Sequence, residues 1–169
     1  MKKHISLFTF LFYLFLSSCS SVYVSKTPEG IGKATFKVIQ NLQSNSLDRY
    51  LASFMSIEEI RQMAEDTTLV TTQKMRDEMT KMPSNKLKEL RVREYKLMLK
   101  TAKEDNIDWS KITYEKFTFD EKVEDGVRAI KGELYFKSDH TIYAIQSFSI
   151  NNGTRFKLIG LKDLNKMGD

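Results

Sequence analysis

Acid–base, nucleophilic and metal chemistry each need particular side chains held close together, and this 169-residue chain supplies few of them. It has two histidines, His4 and His140, and one cysteine, Cys19. One cysteine and so few histidines cannot build a His/Cys metal cluster. A Ser-His-Asp triad would need His140 buried beside a serine, yet it stands in Ser138-Asp139-His140, a predicted hairpin turn. Three adjacent acidic pairs occur, Glu58-Glu59, Glu65-Asp66 and Asp120-Glu121. Neighbours diverge by about 100° on a helix and point to opposite faces on a strand, so none of the three makes a facing carboxylate dyad. The seven glycines are scattered and form no phosphate-binding loop. No catalytic residue is assigned, and no metal or cofactor is expected.

Cys19 has a chemistry of its own. Ahead of it stand a basic start, Met1-Lys2-Lys3-His4, and an apolar run from Ile5 to Leu16 broken only by Ser6 and Thr9. Twelve residues are too few to cross a bilayer, which takes about 20, but they suit a secretion signal. Leu16-Ser17-Ser18-Cys19 resembles the bacterial lipobox. The resemblance implies cleavage before Cys19 and lipids on its thiol and its new amine, so the membrane partner would be reached through Cys19. Several acyl chains hold a protein on a membrane where one does so only reversibly. The mature chain has no second cysteine, which excludes an intramolecular disulfide.

This reading divides the chain into a signal at 1–18, a lipidated tether at 19–27 and one domain at 28–169. Ser20 and Ser21, with no acidic residue near them, point to the outer membrane of a bacterial envelope with the domain facing the periplasm; surface display stays open. Loss of Lys2 and Lys3 leaves 25 basic against 22 acidic side chains, a net +3. So mild a charge on an exported chain argues against nucleic acid as a partner.

The elements read in two blocks. Thr27-Pro28-Glu29 starts a helix with an N-cap hydroxyl, a proline at the first position and an acid in the first turn. Its apolar stripe is Ile31, Ala34, Val38 and Leu42, with Ile39 alongside. Ser46 starts a short helix buried through Leu47, Tyr50, Leu51 and Phe54. Ser56 and Glu59 form a capping box before Ile57, Ile60, Met63 and Ala64. Residues 67–72 read as a loop. A helix over about 73–82 stops at Pro83-Ser84-Asn85, and another runs from about Lys86 to Glu104 with Leu87, Leu90, Leu97, Met98 and Ala102 inside. From Lys74 to Lys103 there are ten basic residues and four acids. That excess suits a solvated helix face or, as a weaker reading, contact with anionic lipid or glycan.

After Asn106 the apolar period changes to two. Strands are predicted at 112–122, 127–137, 142–150 and 155–161. The connecting turns are Glu124-Asp125-Gly126, Ser138-Asp139-His140 and Asn151-Asn152-Gly153, the first and last being hairpin signals. Ile130, Leu134 and Phe136 share one strand face, and Ile142, Ala144, Phe148 and Ile150 share a face of the next. Gly132 suggests a bend or bulge. The fold class is α+β, N-terminal helices followed by a curved four-stranded antiparallel meander.

The stretch ATFKVIQNLQSNSLDRYLASF, a helical middle, NIDWSKITYEKF and the glycine-containing meander together resemble the small NTF2-like, cystatin-like lipoproteins of Bacteroidota, over roughly residues 28–164. The resemblance implies a curved sheet wrapped around the first helix as a cone with a cavity, and it carries no activity. Some NTF2-like proteins, ketosteroid isomerase among them, place an acid and tyrosine donors in an apolar cone, but fold likeness alone does not transfer that chemistry. Tyr114, Tyr135 and Tyr143, with Asp120, could supply such groups; strand tyrosines also serve as packing residues with a wet hydroxyl. Trp109 would line a pocket mouth or plug the core where the last helix meets the first strand.

The expected function is a non-catalytic envelope module that binds a small ligand or a partner protein through the cone or the sheet face. Its rival is a cone-pocket enzyme acting on a small apolar substrate through a carboxylate and tyrosine hydroxyls. A buried acid beside a tyrosine in a cavity above about 300 Å³ would favour the rival, whereas a cone filled by Phe, Ile and Leu would favour partner binding.

Overall fold

The structure, a computed structural model, describes residues 23–168. Cys19, the predicted signal and the first part of the tether lie outside the described residues. Among the described residues five helices precede the main sheet strands, and most begin where the capping chemistry predicts. Helix α1 spans Pro28–Gln40, and the Thr27 side chain accepts a hydrogen bond from the Gly30 N–H at 3.3 Å. Helix α2, Leu47–Leu51, is capped in the same way by Ser46. Helix α3, Ile57–Glu65, has both halves of the Ser56–Glu59 capping box. Helix α4 covers Gln73–Lys81 with Thr72 as its cap, and α5 covers Ser84–Glu104 behind Pro83 with no side-chain cap.

The sheet is antiparallel and curls into a half-barrel of five strands, one more than expected. The meander is β2 (Thr113–Glu124), β3 (Val127–Ser138), β4 (Thr141–Asn151) and β5 (Phe156–Lys166). The extra strand, β1, is Val24–Ser25, which pairs Val24 with Lys157 and Ser25 with Phe156. Part of the predicted tether is therefore in the sheet. Two residues are too short to show a period-2 pattern, and only the partner strand reveals them. The order across the sheet is β1-β5-β4-β3-β2. β5 also runs five residues past its expected end at Leu161, through a positive φ of 54° at Asp163.

The turns follow their residue types. Asp125 and Gly126 both hold positive φ, 51° and 86°, as a two-residue type I′ hairpin requires. Gly153 has φ 94°, in a loop tied by the Asn152 side-chain oxygen accepting from the Thr154 and Arg155 N–H groups. Of the bend or bulge suggested at Gly132, the bulge is not there. Register runs unbroken through it, and the irregularities fall at Tyr114/Lys116, Ala144/Gln146 and Phe148/Ser149 instead. What Gly132 provides is room for the Phe117 side chain, which also lies against Gly32 of α1.

Helix α1 packs into the curl. Ile31, Val38, Ile39 and Leu42 meet Leu134, Phe136, Ile145, Phe156 and Leu158, all fully buried. On β4 the expected set Ile142, Ala144, Phe148 and Ile150 does share a face, but it is the outer one. Pairing of Phe136 with Tyr143 and Leu134 with Ile145 turns Tyr143, Ile145, Ser147 and Ser149 toward α1. A second cluster, Met55, Ile60, Met63, Val70 and Met79, packs against Val127, Ile150 and Ile159.

Helix α5 departs further from the sequence reading. Met98 and Ala102 are buried, but Leu90 and Leu97 are 41% and 49% exposed, and Arg91 and Glu94 take the inward positions. An apolar count favours the leucines; the helix instead turns Arg91 inward, where backbone carbonyls meet its head group.

Candidate functional site

The four aromatic residues singled out as pocket-lining do not surround one pocket. Trp109 follows α5 and is 1% exposed, with its ring centroid 5.7 Å from that of Phe136; Phe136 in turn stacks on Tyr143 at 5.6 Å. Trp109 thus plugs the core, and it also borders an open cleft of about 560 Å³ with Gln43, Lys103, Asn106 and Asp108. Tyr143 is buried, and burial raises its hydroxyl pKa. Tyr114 stands at the lip of the half-barrel, edge-on to Phe36 of α1 at 5.6 Å.

Tyr135 points the other way, because register pairs it with Lys116 and Ala144 on the outer face. Its hydroxyl donates to Glu133, a bond that raises the tyrosine pKa, and the Lys116 ammonium sits 4.4 Å from its ring centroid. The hollow beside Tyr135 is open and about 260 Å³. Asp120 is exposed on that outer face opposite Lys131, and His140 is exposed in its turn. An acid and a tyrosine do meet, as Glu133 and Tyr135, but on the outside of the sheet. The concave side, where the cone pocket was expected, is occupied by the α1 side chains.

The acidic pairs have local partners. Glu59 completes its cap by accepting from the Ser56 N–H at 2.9 Å and also pairs with Lys157. Burial alone would raise the Glu59 carboxyl; the bonds from Lys157 and Ser56 outweigh it and bring it below its ordinary value. Asp66 accepts from Thr68, and Glu121 pairs with Arg128 at 2.6 Å.

The site that sequence reasoning missed is a cleft of about 570 Å³ where the end of α2, the starts of α3 and α5, and β5 converge. Its floor is Arg91. The guanidinium donates from Nε to the Ile159 carbonyl at 2.9 Å and from Nη2 to the Met55 carbonyl at 2.7 Å, and it lies 5.1 Å from the Phe54 ring centroid. Removal from water pulls its pKa down to about 10. Tyr50, nearby, is 1% exposed with a hydroxyl that has no hydrogen-bond partner among the described residues. The one sequence signal was a basic residue on the helical stripe shared with Met98 and Ala102, which an apolar search discards.

No family model matches this chain, and neither a curated protein nor a solved structure shows a match to it.

Proposed function

We propose that this chain is a non-catalytic binding module of the NTF2-like, cystatin-like lipoprotein kind, held at a bacterial envelope membrane through lipid on Cys19, and that it receives an extended segment of a partner envelope protein along β2. The observation that carries this reading is the state of β2. It is twelve residues long, among the described residues it is paired on one side only, and every residue of it except Phe117 is exposed. A free strand edge offers a row of unpaired N–H and C=O groups, which an extended peptide can complete by strand addition. Tyr114, Phe119 and Val123 are large apolar side chains exposed along that strand. Lysines and acids alternate with them, as on natural edges that avoid indiscriminate pairing.

Two further features support binding over catalysis. Ile31, Val38, Leu134 and Phe136 pack together on the concave side of the sheet, where the expected apolar pocket would lie. The acid–tyrosine pair Glu133–Tyr135 is on the outer face of the sheet, and the hollow that Tyr135 borders is open and about 260 Å³, below the size of a typical substrate pocket.

Two experiments test the proposal. Cys19→Ala should abolish incorporation of labelled palmitate and leave uncleaved precursor; label persisting in that variant refutes the anchor. A photo-crosslinking residue at Val123, carried by the full chain in cells, should give a discrete protein adduct that the same residue at Lys81 does not. Absence of an adduct at Val123, or the same adduct from both positions, refutes β2 as the receiving edge.

A further inference from the structure

The cleft over Arg91 holds an unbalanced positive charge. Arg91 is 7% exposed, and no carboxylate among the described residues pairs with it. Nε and Nη2 rest on neutral carbonyl oxygens, while the second terminal nitrogen, Nη1, has no protein acceptor among the described residues. A buried guanidinium met by carbonyl dipoles and one aromatic face, with no counter-charge, retains its attraction for an anion, and its planar fork fits a carboxylate.

The surroundings add to that charge. Ser84, Leu87, Lys88 and Arg91 stand at i, i+3, i+4 and i+7 of α5, on one face, and all four border the cleft. Helix α5 starts there with no side-chain cap and no acid in its first turn, so the positive end of its dipole is left uncompensated. Helix α3 also begins at the cleft, but Glu59 satisfies its start and cancels Lys157. The surplus is therefore Arg91 and Lys88 against Glu58, a balance that suits a monoanion and disfavours a dianion. Leu51, Phe54, Ile57 and Leu87 make the remaining wall apolar.

We propose that this cleft binds a small apolar monocarboxylate, its carboxylate on Arg91 and Lys88 and its apolar body against Phe54, Ile57 and Leu87. The site is separate from β2 and stands whether or not β2 receives a partner.

Equilibrium dialysis of the full chain in lipid nanodiscs, with empty nanodiscs as blank, tests it with labelled N-acetyl-leucine. A saturable dissociation constant of about 1 mM is expected for so small a probe. The neutral N-acetylleucinamide should compete at least about tenfold more weakly than unlabelled N-acetyl-leucine, the factor that about 1.4 kcal/mol represents. Inorganic phosphate should compete poorly. Arg91→Lys, which loses the fork, should weaken binding about tenfold, and Lys88→Ala, at an exposed position, about threefold. No saturable binding, equal competition by the amide, or displacement by phosphate as strong as by N-acetyl-leucine each overturns the assignment. If circular dichroism shows Arg91→Lys unfolded, Lys88→Ala decides, and unchanged affinity in it overturns the proposal.

Discussion

The side chain of Phe117 occupies the volume that any side chain on Gly132 would need. Gly32 of α1 gives way to the same ring from the other side, where a β-carbon would come within 2.5 Å of the Phe117 ring. Two glycines, one on a helix and one on a strand, thus accommodate a single aromatic wedge that ties the exposed β2 to the body of the domain. Gly132→Ala should destabilise by about 1–3 kcal/mol through overpacking. In a Phe117→Leu background the same change should cost markedly less, because the two residues share one volume. Urea denaturation of the four variants measures the coupling; purely additive costs would mean that Phe117 does not set the requirement for glycine.

Tyr50 predicts an alkaline weakness. Burial raises its hydroxyl pKa above the ordinary value of 10.0, against a smaller lowering from Arg91. Below pH 10 the proton is present in both folded and unfolded chains. Above it the unfolded chain releases the proton while the folded state keeps it, so stability falls as pH rises. Tyr50→Phe removes that dependence along with a buried hydroxyl that lacks a partner, so it should stabilise at neutral pH by about 1 kcal/mol and flatten the decline above pH 10. Thermal melts from pH 8 to 11 compare the two proteins; parallel declines would exclude Tyr50 as the cause.

On α5 the order of sensitivity should be the reverse of what hydropathy suggests. Leu90→Gln and Leu97→Gln, at exposed positions, should each change stability by no more than about 0.5 kcal/mol. Met98→Ala, at 2% exposure, should cost about 2–4 kcal/mol. A large loss from either leucine substitution would place that leucine in an interface.

Gly153 and Gly168 form a matched comparison. At Gly153 φ is 94° and an added β-carbon would meet Leu69 Cδ2 at 2.9 Å, whereas nothing lies within 4 Å of such an atom at Gly168. Gly153→Val should lower stability by about 1–2 kcal/mol and Gly168→Val should leave it unchanged. Chemical denaturation midpoints decide, and equal midpoints would contradict the loop geometry.

Local chemistry was legible where it is local. Thr27, Ser46 and Ser56 each cap the helix that follows, and Asp125-Gly126 makes the hairpin its dipeptide announces, because these interactions reach only two or three residues. What failed depended on partners distant in sequence. β1 exists only because Lys157 and Phe156 lie beside it, and the face of β4 that meets α1 is set by register with Phe136 rather than by its own apolar count. The Arg91 cleft needs Met55, Phe54 and Ile159, up to 68 residues away, before its cation has a place to lie. The strand tyrosines Tyr114, Tyr135 and Tyr143 were scattered by the same cause, since strand parity and the curl decide which side of the sheet each one reaches.

If Cys19 carries the proposed lipid, the pairing of Val24 with Lys157 limits how far the domain can stray from the membrane. Five residue steps separate Cys19 from Val24, and an extended chain covers at most about 18 Å in that distance. With lipid on Cys19, the β1–β5 edge is held on a short leash beside the bilayer, while β2 is the far edge in the strand order. On the proposed reading, anchorage and reception would occupy opposite margins of one sheet, and a docked segment would meet the domain from the aqueous side without displacing the leash.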